Sequence, residues 1–70
     1  MIYLSPLEKR VFEALKKEGK ASVYHIQSKL LLQDDNLNRK QISDSFQRLK
    51  NKNVIEFEKE TQKWTVIIND

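Results

Sequence analysis

NRKQISDSFQRLKNKNVIEF, residues 38–57, is the stretch that decides the fold. Its first part has apolar residues at i, i+4 and i+7, the spacing of one helical face: Ile42, Phe46 and Leu49. Its last part changes to β-branched and aromatic residues, which favour a strand. Asn38 is expected to cap the helix, although Asn36 is an alternative cap. Asn53 follows the helix at a left-handed position where Gly is more common.

The side of this helix opposite the apolar stripe is polar. At 100° per residue that side carries Lys40, Asp44, Gln47 and Asn51, flanked by Gln41, Ser43 and Arg48. Residues 39–52 hold five cations against one anion, a net charge of +4. Because the whole chain is only +3, the other residues sum to −1. The basic excess is therefore concentrated on one predicted helix, approximately residues 38–52.

Length and composition predict one small domain over residues 1–70. No apolar run approaches the ~18 residues that span a bilayer, and the start has no basic segment followed by a long apolar core. We expect an intracellular, cytoplasmic protein. With no Cys, one His and one Gly, the sequence offers no nucleophile–base pair, metal-ligand cluster or phosphate-cradling loop. It is not expected to be an enzyme or to need a metal or cofactor.

Two more helices are predicted upstream. In the first, Ser5 is a cap, Pro6 opens the helix, Glu8 completes a Ser-x-x-Glu capping box, and Gly19 suits the end. The second is predicted for ASVYHIQSKLLLQ, residues 21–33, with Ser22 as a possible cap. Lys20–Ala21 can form a short bridge strand between them.

The end of the chain alternates as a β-hairpin does. Val54–Lys59 and Lys63–Ile68 can pair across a turn at Glu60–Gln62, which makes Phe57 and Trp64 near neighbours across the strands. We expect both aromatic rings in the core rather than on a stacking platform. The predicted core comprises Leu7, Val11, Phe12, Leu15, Ile26, Leu30, Ile42, Phe46, Leu49, Ile55, Phe57, Val66 and Ile68.

Three helices and a hairpin with a basic third helix resemble the winged helix-turn-helix family over nearly the whole chain. The resemblance depends on the Ser-Val-x-x-Ile-x-x-x-Leu phrase of residues 22–30 and on ISDSFQRLKNKNVIEF. The second phrase is similar to the recognition-helix-to-strand phrase of many bacterial and archaeal regulators, with Asn53 in the usual Gly position. The long turn before the third helix is similar to those of BlaI-type penicillinase repressors and Fur-type regulators. Small winged helices of archaeal viruses and plasmids are also similar.

The resemblance implies a repressor-like transcription regulator whose third helix enters the DNA major groove and whose hairpin, the wing, lies along the backbone. Lys and Arg can donate to guanine, Gln can pair with adenine, and Asp can accept from cytosine or repel phosphate. The residues expected to face bases are Lys40, Ser43, Asp44 and Gln47. Those expected to face phosphates are Arg39, Arg48, Lys50 and Tyr24, although Tyr24 can equally be an ordinary surface residue. On the wing, the residues expected to be usable for contact with DNA are Lys59, Gln62 and Lys63.

The wing departs from the family pattern because its charge is not positive. Residues 56–63 hold three Glu against two Lys, a net charge of −1, and the turn lacks Gly. This favours an alternative function, in which the chain is a protein-interaction module and its basic helix docks an acidic partner. Sequence alone leaves both functions open.

Several other residues have no assigned role in DNA binding. A homodimer can use the apolar start, Met1–Leu4, or the Leu31/Leu32 region, where both leucines lie off the helical stripe. His25 is expected on the surface without a ligand role. Asp34–Asp35 is expected to be a polar turn rather than a metal site.

Overall fold

The computed structural model describes residues 3–67, which form three helices and three short strands. In chain order these are α1 (Pro6–Glu18), β1 (Lys20–Ala21), α2 (Val23–Gln33), α3 (Arg39–Asn51), β2 (Ile55–Glu58) and β3 (Lys63–Val66). All strand pairs are antiparallel. For the described part of the chain, the predicted α+β class with three helices is therefore confirmed, and the architecture is compatible with a winged helix.

Local capping chemistry sets the limits of the first two helices. The Ser5 hydroxyl accepts a hydrogen bond from the backbone N–H of Glu8 at 3.4 Å, and Ser22 accepts from the N–H of His25 at 3.1 Å. Each hydroxyl satisfies a donor that has no partner inside its helix. Helix α1 ends at Gly19 with φ of +87°, a value that favours glycine. Both predicted caps are confirmed.

The sheet has the strand order β1-β3-β2, so β3 is its central strand. Lys20 lies opposite Thr65, and Phe57 lies opposite Trp64, as the hairpin pattern predicts. Both hairpin strands are shorter than the predicted Val54–Lys59 and Lys63–Ile68, and the turn covers residues 59–62. Ile68 lies outside the described residues.

One hydrophobic core joins the helices to the inner face of the sheet. Its buried residues are Val11, Phe12, Leu15, Ala21, Ile26, Leu30, Ile42, Phe46, Leu49, Val54, Ile55 and Trp64. Leu7 and Val66 are half-buried against it. Apart from these two, Phe57 and the undescribed Ile68, every residue of the predicted core is buried.

The prediction that Phe57 lies inside the core is wrong, because its side chain is 41% exposed. Phe46, Trp64 and Phe57 form a row of rings with centroid separations of 5.6 and 5.2 Å. Phe57 is at the outer end of this row, on the edge strand β2 and next to the turn. It faces the same side of the sheet as Ile55, but no further strand of residues 3–67 covers its outer edge.

Candidate nucleic-acid interface

Helix α3 presents most of the predicted site, and its ends are fixed by its own sequence. The Asn38 side chain accepts from the N–H of Gln41 at 2.9 Å, and the Gln41 side chain accepts from the N–H of Asn38 at 2.9 Å. This reciprocal capping box confirms Asn38 rather than Asn36 as the cap. After the helix, Asn53 has φ of +62°, the left-handed conformation predicted for it.

The buried stripe of α3 sets which side chains face outward. Ile42, Ser45, Phe46 and Leu49 are buried. The opposite side is exposed, and it carries Lys40, Asp44, Gln47 and Asn51. The predicted orientation of the helix is therefore confirmed, and the polar side chains on this face are accessible to a ligand.

Most of these outward side chains have no partner among the residues that the structure describes. Among residues 3–67, no side-chain hydrogen bond or ion pair involves Lys40, Asp44, Gln47, Arg48 or Lys50. Unpaired cations and amides can donate to phosphate oxygens or base edges without first breaking an internal contact. The only anion among them is Asp44.

Arg39 and Ser43 differ from the other predicted site residues because α2 holds them. Ser43 is half-buried, and its hydroxyl oxygen accepts a hydrogen bond from the Gln27 side chain at 2.8 Å. The Arg39 guanidinium donates to the side-chain amide oxygen of Gln27 at 3.1 Å, and its central carbon lies 4.9 Å from the centre of the Tyr24 ring. The structure thus brings Tyr24 and Arg39 together. Gln27 was not predicted as a functional residue.

Lys52 belongs to the basic segment by sequence, but in the fold it is paired with an acid. Its ammonium group donates to the buried carboxylate of Glu8 and, at 2.8 Å, to the backbone carbonyl of Tyr3. Burial raises the pKa of Glu8, but hydrogen bonds from Lys52 and Ser5 outweigh it, so the pKa lies below its ordinary value of 4.5. Lys52 therefore stabilises the fold.

The predicted wing residues Lys59, Gln62 and Lys63 are all exposed. Gln62 takes φ of +57°, and its N–H donates to the Glu58 carbonyl at 2.8 Å, which closes the turn without a glycine. The three side chains lie at or beside the hairpin turn. They form no internal hydrogen bond within the described chain.

A lysine from outside the hairpin offsets part of the negative charge of the hairpin. Lys20 on β1 donates to the Glu58 carboxylate at 2.9 Å, and Thr61 donates to the same carboxylate at 3.0 Å. The hydrogen bond from Lys20 and that from Thr61 lower the pKa of Glu58. Counting residues 56–63 alone therefore overstates the negative charge of the wing, whereas Glu56 and Glu60 remain exposed.

The residues suggested for a dimer have different environments. Leu31 and Leu4 are half-buried against the core, whereas Leu32 is 88% exposed and Tyr3 is also exposed. Met1 and Ile2 lie outside the described residues. The exposed side chain of Leu32 faces away from the core. Among the described residues of the two suggested dimer regions, Tyr3 and Leu32 are therefore the exposed ones.

The histidine and the acidic turn contact charged side chains on the surface. His25 lies 3.3 Å from Glu18, which also accepts from Lys29 at 2.6 Å. Asp34 accepts from the N–H of Asn36 at 2.9 Å and from Arg10 at 3.0 Å, and both contacts lower its pKa. Within residues 3–67, no group of three His, Cys, Asp or Glu side chains is arranged to hold a metal ion.

No family model, curated protein or solved structure matches this chain. The resemblance to the winged helix-turn-helix family therefore stays a prediction. Over residues 3–67, no helix is both long enough and apolar enough to span a membrane.

Proposed function

We propose that this chain is a winged helix-turn-helix protein that binds double-stranded DNA through α3 and acts as a transcription regulator. One observation carries the proposal. Four cations of α3 have no carboxylate partner within the described chain: Arg39, Lys40, Arg48 and Lys50. Four cations outside α3 are paired with acids, namely Arg10, Lys20, Lys29 and Lys52. Lys9, Lys17 and Lys59 also form no ion pair within the described chain, but they are divided between α1 and the hairpin turn, whereas the four cations of α3 lie on one short helix. Together with Asp44, these four cations give α3 a net charge of +3, which attracts phosphate; Lys52 lies just after the helix and is offset by Glu8.

The exposed positions on α3 suit two kinds of contact. Lys40 and Gln47 lie on the outermost face, where a helix in the major groove meets base edges. Arg48 and Lys50 lie on the two flanks of that face, where a groove-bound helix meets the sugar–phosphate backbones. In this proposal Lys40 and Gln47 select the sequence, and the flanking cations supply affinity.

A protein-interaction function is the second candidate, and a feature of the hairpin favours it. The half-exposed Phe57 ring lies on the same hairpin as the exposed Glu56 and Glu60. Exposed aromatic residues are common anchors in protein interfaces, whereas carboxylates oppose phosphate. In this alternative the basic face of α3 docks an acidic protein surface.

A salt titration distinguishes the two candidates. Binding of the purified protein to random duplexes and to a duplex selected from a random pool is measured at several salt concentrations. Arg48→Ala and Lys50→Ala should each weaken binding to all duplexes alike and reduce the salt slope by about one unit. Lys40→Ala or Gln47→Ala should cost roughly 1–3 kcal/mol on the selected duplex and relax its base preference.

Lys17→Ala is a matched control for these variants. Lys17 is an exposed cation on α1 with no internal partner in the described chain, so the change removes the same charge away from α3. It should leave the salt slope nearly unchanged. If the wild-type protein shows no salt-dependent binding, or if Lys17→Ala acts as strongly as Arg48→Ala, α3 is not a DNA-binding face.

A further inference from the structure

Gln27 is a buried amide at the contact between α2 and α3, with a side chain only 8% exposed. Its nitrogen donates to the backbone carbonyl of Arg39 at 3.1 Å and to the Ser43 hydroxyl at 2.8 Å. Its oxygen accepts from the Arg39 guanidinium at 3.1 Å. Exchanging the nitrogen and the oxygen would set two donors against each other, so this network permits one orientation of the amide.

The Arg39 side chain is held on two sides. The Gln27 side-chain oxygen accepts a hydrogen bond from one guanidinium nitrogen, and the guanidinium carbon lies over the Tyr24 ring, 4.9 Å from its centroid. Tyr24 is 68% exposed, and Arg39 is exposed as well. A guanidinium has five N–H donors, so most of them remain available to an oxyanion outside the protein.

We infer that Gln27 is a positioning residue, which fixes Arg39 over Tyr24 before DNA binds so that its guanidinium meets one backbone phosphate in a defined register. This inference rests on the proposed DNA-binding function. A phosphate is the ligand that suits this arrangement, because the planar donor fork of Arg matches two phosphate oxygens at once. The same amide orients Ser43, whose oxygen is occupied by Gln27 and whose O–H has no acceptor within residues 3–67.

Positioning should appear as a gain in affinity that depends on Arg39. Immobilising one flexible side chain at an interface costs conformational entropy, and this cost corresponds to about a two- to tenfold change in Kd. Gln27 removes this cost in advance, because Arg39 is already held in the free protein. Gln27→Met, which keeps the side-chain size and removes both polar atoms, should therefore weaken binding to every duplex by about two- to tenfold.

A double-mutant cycle with random duplexes tests the inference. Gln27→Met and Arg39→Ala are measured alone and together, with thermal melts to verify that each variant is folded. Gln27→Met should have almost no effect once Arg39 is Ala. Gln33→Met, which changes an exposed amide on the same helix, is the matched control and should leave binding unchanged. Tyr24→Leu, at an exposed position that should not affect folding, should couple to Arg39 in the same way.

A readout in the DNA-free protein separates positioning from general stability. Relaxation of the Arg39 Nε–H group, measured by NMR, should report a restricted side chain in the wild type and a mobile one in Gln27→Met. If wild type binds DNA but Gln27→Met binds equally well, or if its effect adds fully to that of Arg39→Ala, the inference is wrong and the proposed function stands. If wild type does not bind DNA, both are wrong.

Discussion

Two phenylalanines that touch the same tryptophan provide a direct test of how the core is built. Phe46 and Phe57 lie on either side of Trp64, at similar centroid distances of 5.6 and 5.2 Å. Phe46 is 2% exposed, whereas Phe57 is 41% exposed. Phe46→Ala and Phe57→Ala therefore delete the same atoms from two environments that differ mainly in burial.

The expected loss of stability is larger for Phe46→Ala than for Phe57→Ala. Removing the buried Phe46 ring leaves a cavity and should lower the free energy of unfolding by about 3–5 kcal/mol. A domain of 70 residues has a total of about 4–10 kcal/mol, so this variant should be close to unfolding. At Phe57, water fills the vacated space and no cavity is left. The loss is the aromatic-pair energy, about 0.5–1.5 kcal/mol, plus the transfer energy of the part of the ring that is covered.

Urea denaturation measures both variants. Trp64 is the only tryptophan in the chain, so its fluorescence reports the environment that both rings share, and far-ultraviolet circular dichroism follows the helices independently. Agreement between the two signals would support two-state unfolding. If Phe57→Ala destabilises the protein as much as Phe46→Ala does, the hairpin is packed differently and the reasoning is refuted.

Three further predictions concern acid stability, base selection and the turn after α3. The pKa of Glu8 is lower in the folded state than its ordinary value of 4.5 in the unfolded chain. Between these two pKa values the unfolded chain binds more protons than the folded protein. The stability that Glu8 contributes is therefore complete above about pH 4.5 and is lost as the pH falls through the folded-state pKa. The Glu8→Gln variant should thus lose less stability on acidification than the wild type. Urea unfolding at a series of pH values from neutral downward measures this loss. If both proteins lose the same stability at acid pH, Lys52 does not stabilise the fold through Glu8. Asp44→Ala should tighten binding to random duplexes, because a carboxylate is removed from the DNA-facing side. If the affinity for random duplexes is instead unchanged and the preference at one base pair is lost, Asp44 contacts a cytosine. Asn53→Val should lower the free energy of unfolding by about 1–3 kcal/mol, because a β-branched residue is strained at a φ of +62°. Asn53→Gly should be tolerated. Equal melting temperatures for the two variants would argue against the left-handed conformation.

Features governed by neighbouring residues could be predicted from the sequence. The caps Ser5, Ser22 and Asn38 act on donors three residues away, so the local sequence contains both partners. The left-handed Asn53 is equally local, since it depends on the end of one helix. The outward face of α3 followed from its apolar stripe, because one face of an amphipathic helix fixes the direction of the other.

Features governed by distant residues could not be predicted in this way. Lys52 was counted with the basic segment, but its partner Glu8 is 44 positions away and was expected to act only within a capping box. The alternation of side chains along the strand placed Phe57 on the inner side of the sheet, but it does not indicate how far the core extends. Gln27 left a weak signal, an amide adjoining the apolar stripe of α2, which must find hydrogen-bond partners if it is buried.

The strand order has a consequence for how the protein is made. β3 pairs with both other strands, yet it is the last of the three to be synthesised. While a ribosome is still adding Lys63–Val66, neither β1 nor β2 has its partner, and Trp64 is missing from the core. The sheet and the core can therefore be completed only after this last strand is available, and until then the apolar faces of the helices lack part of their cover.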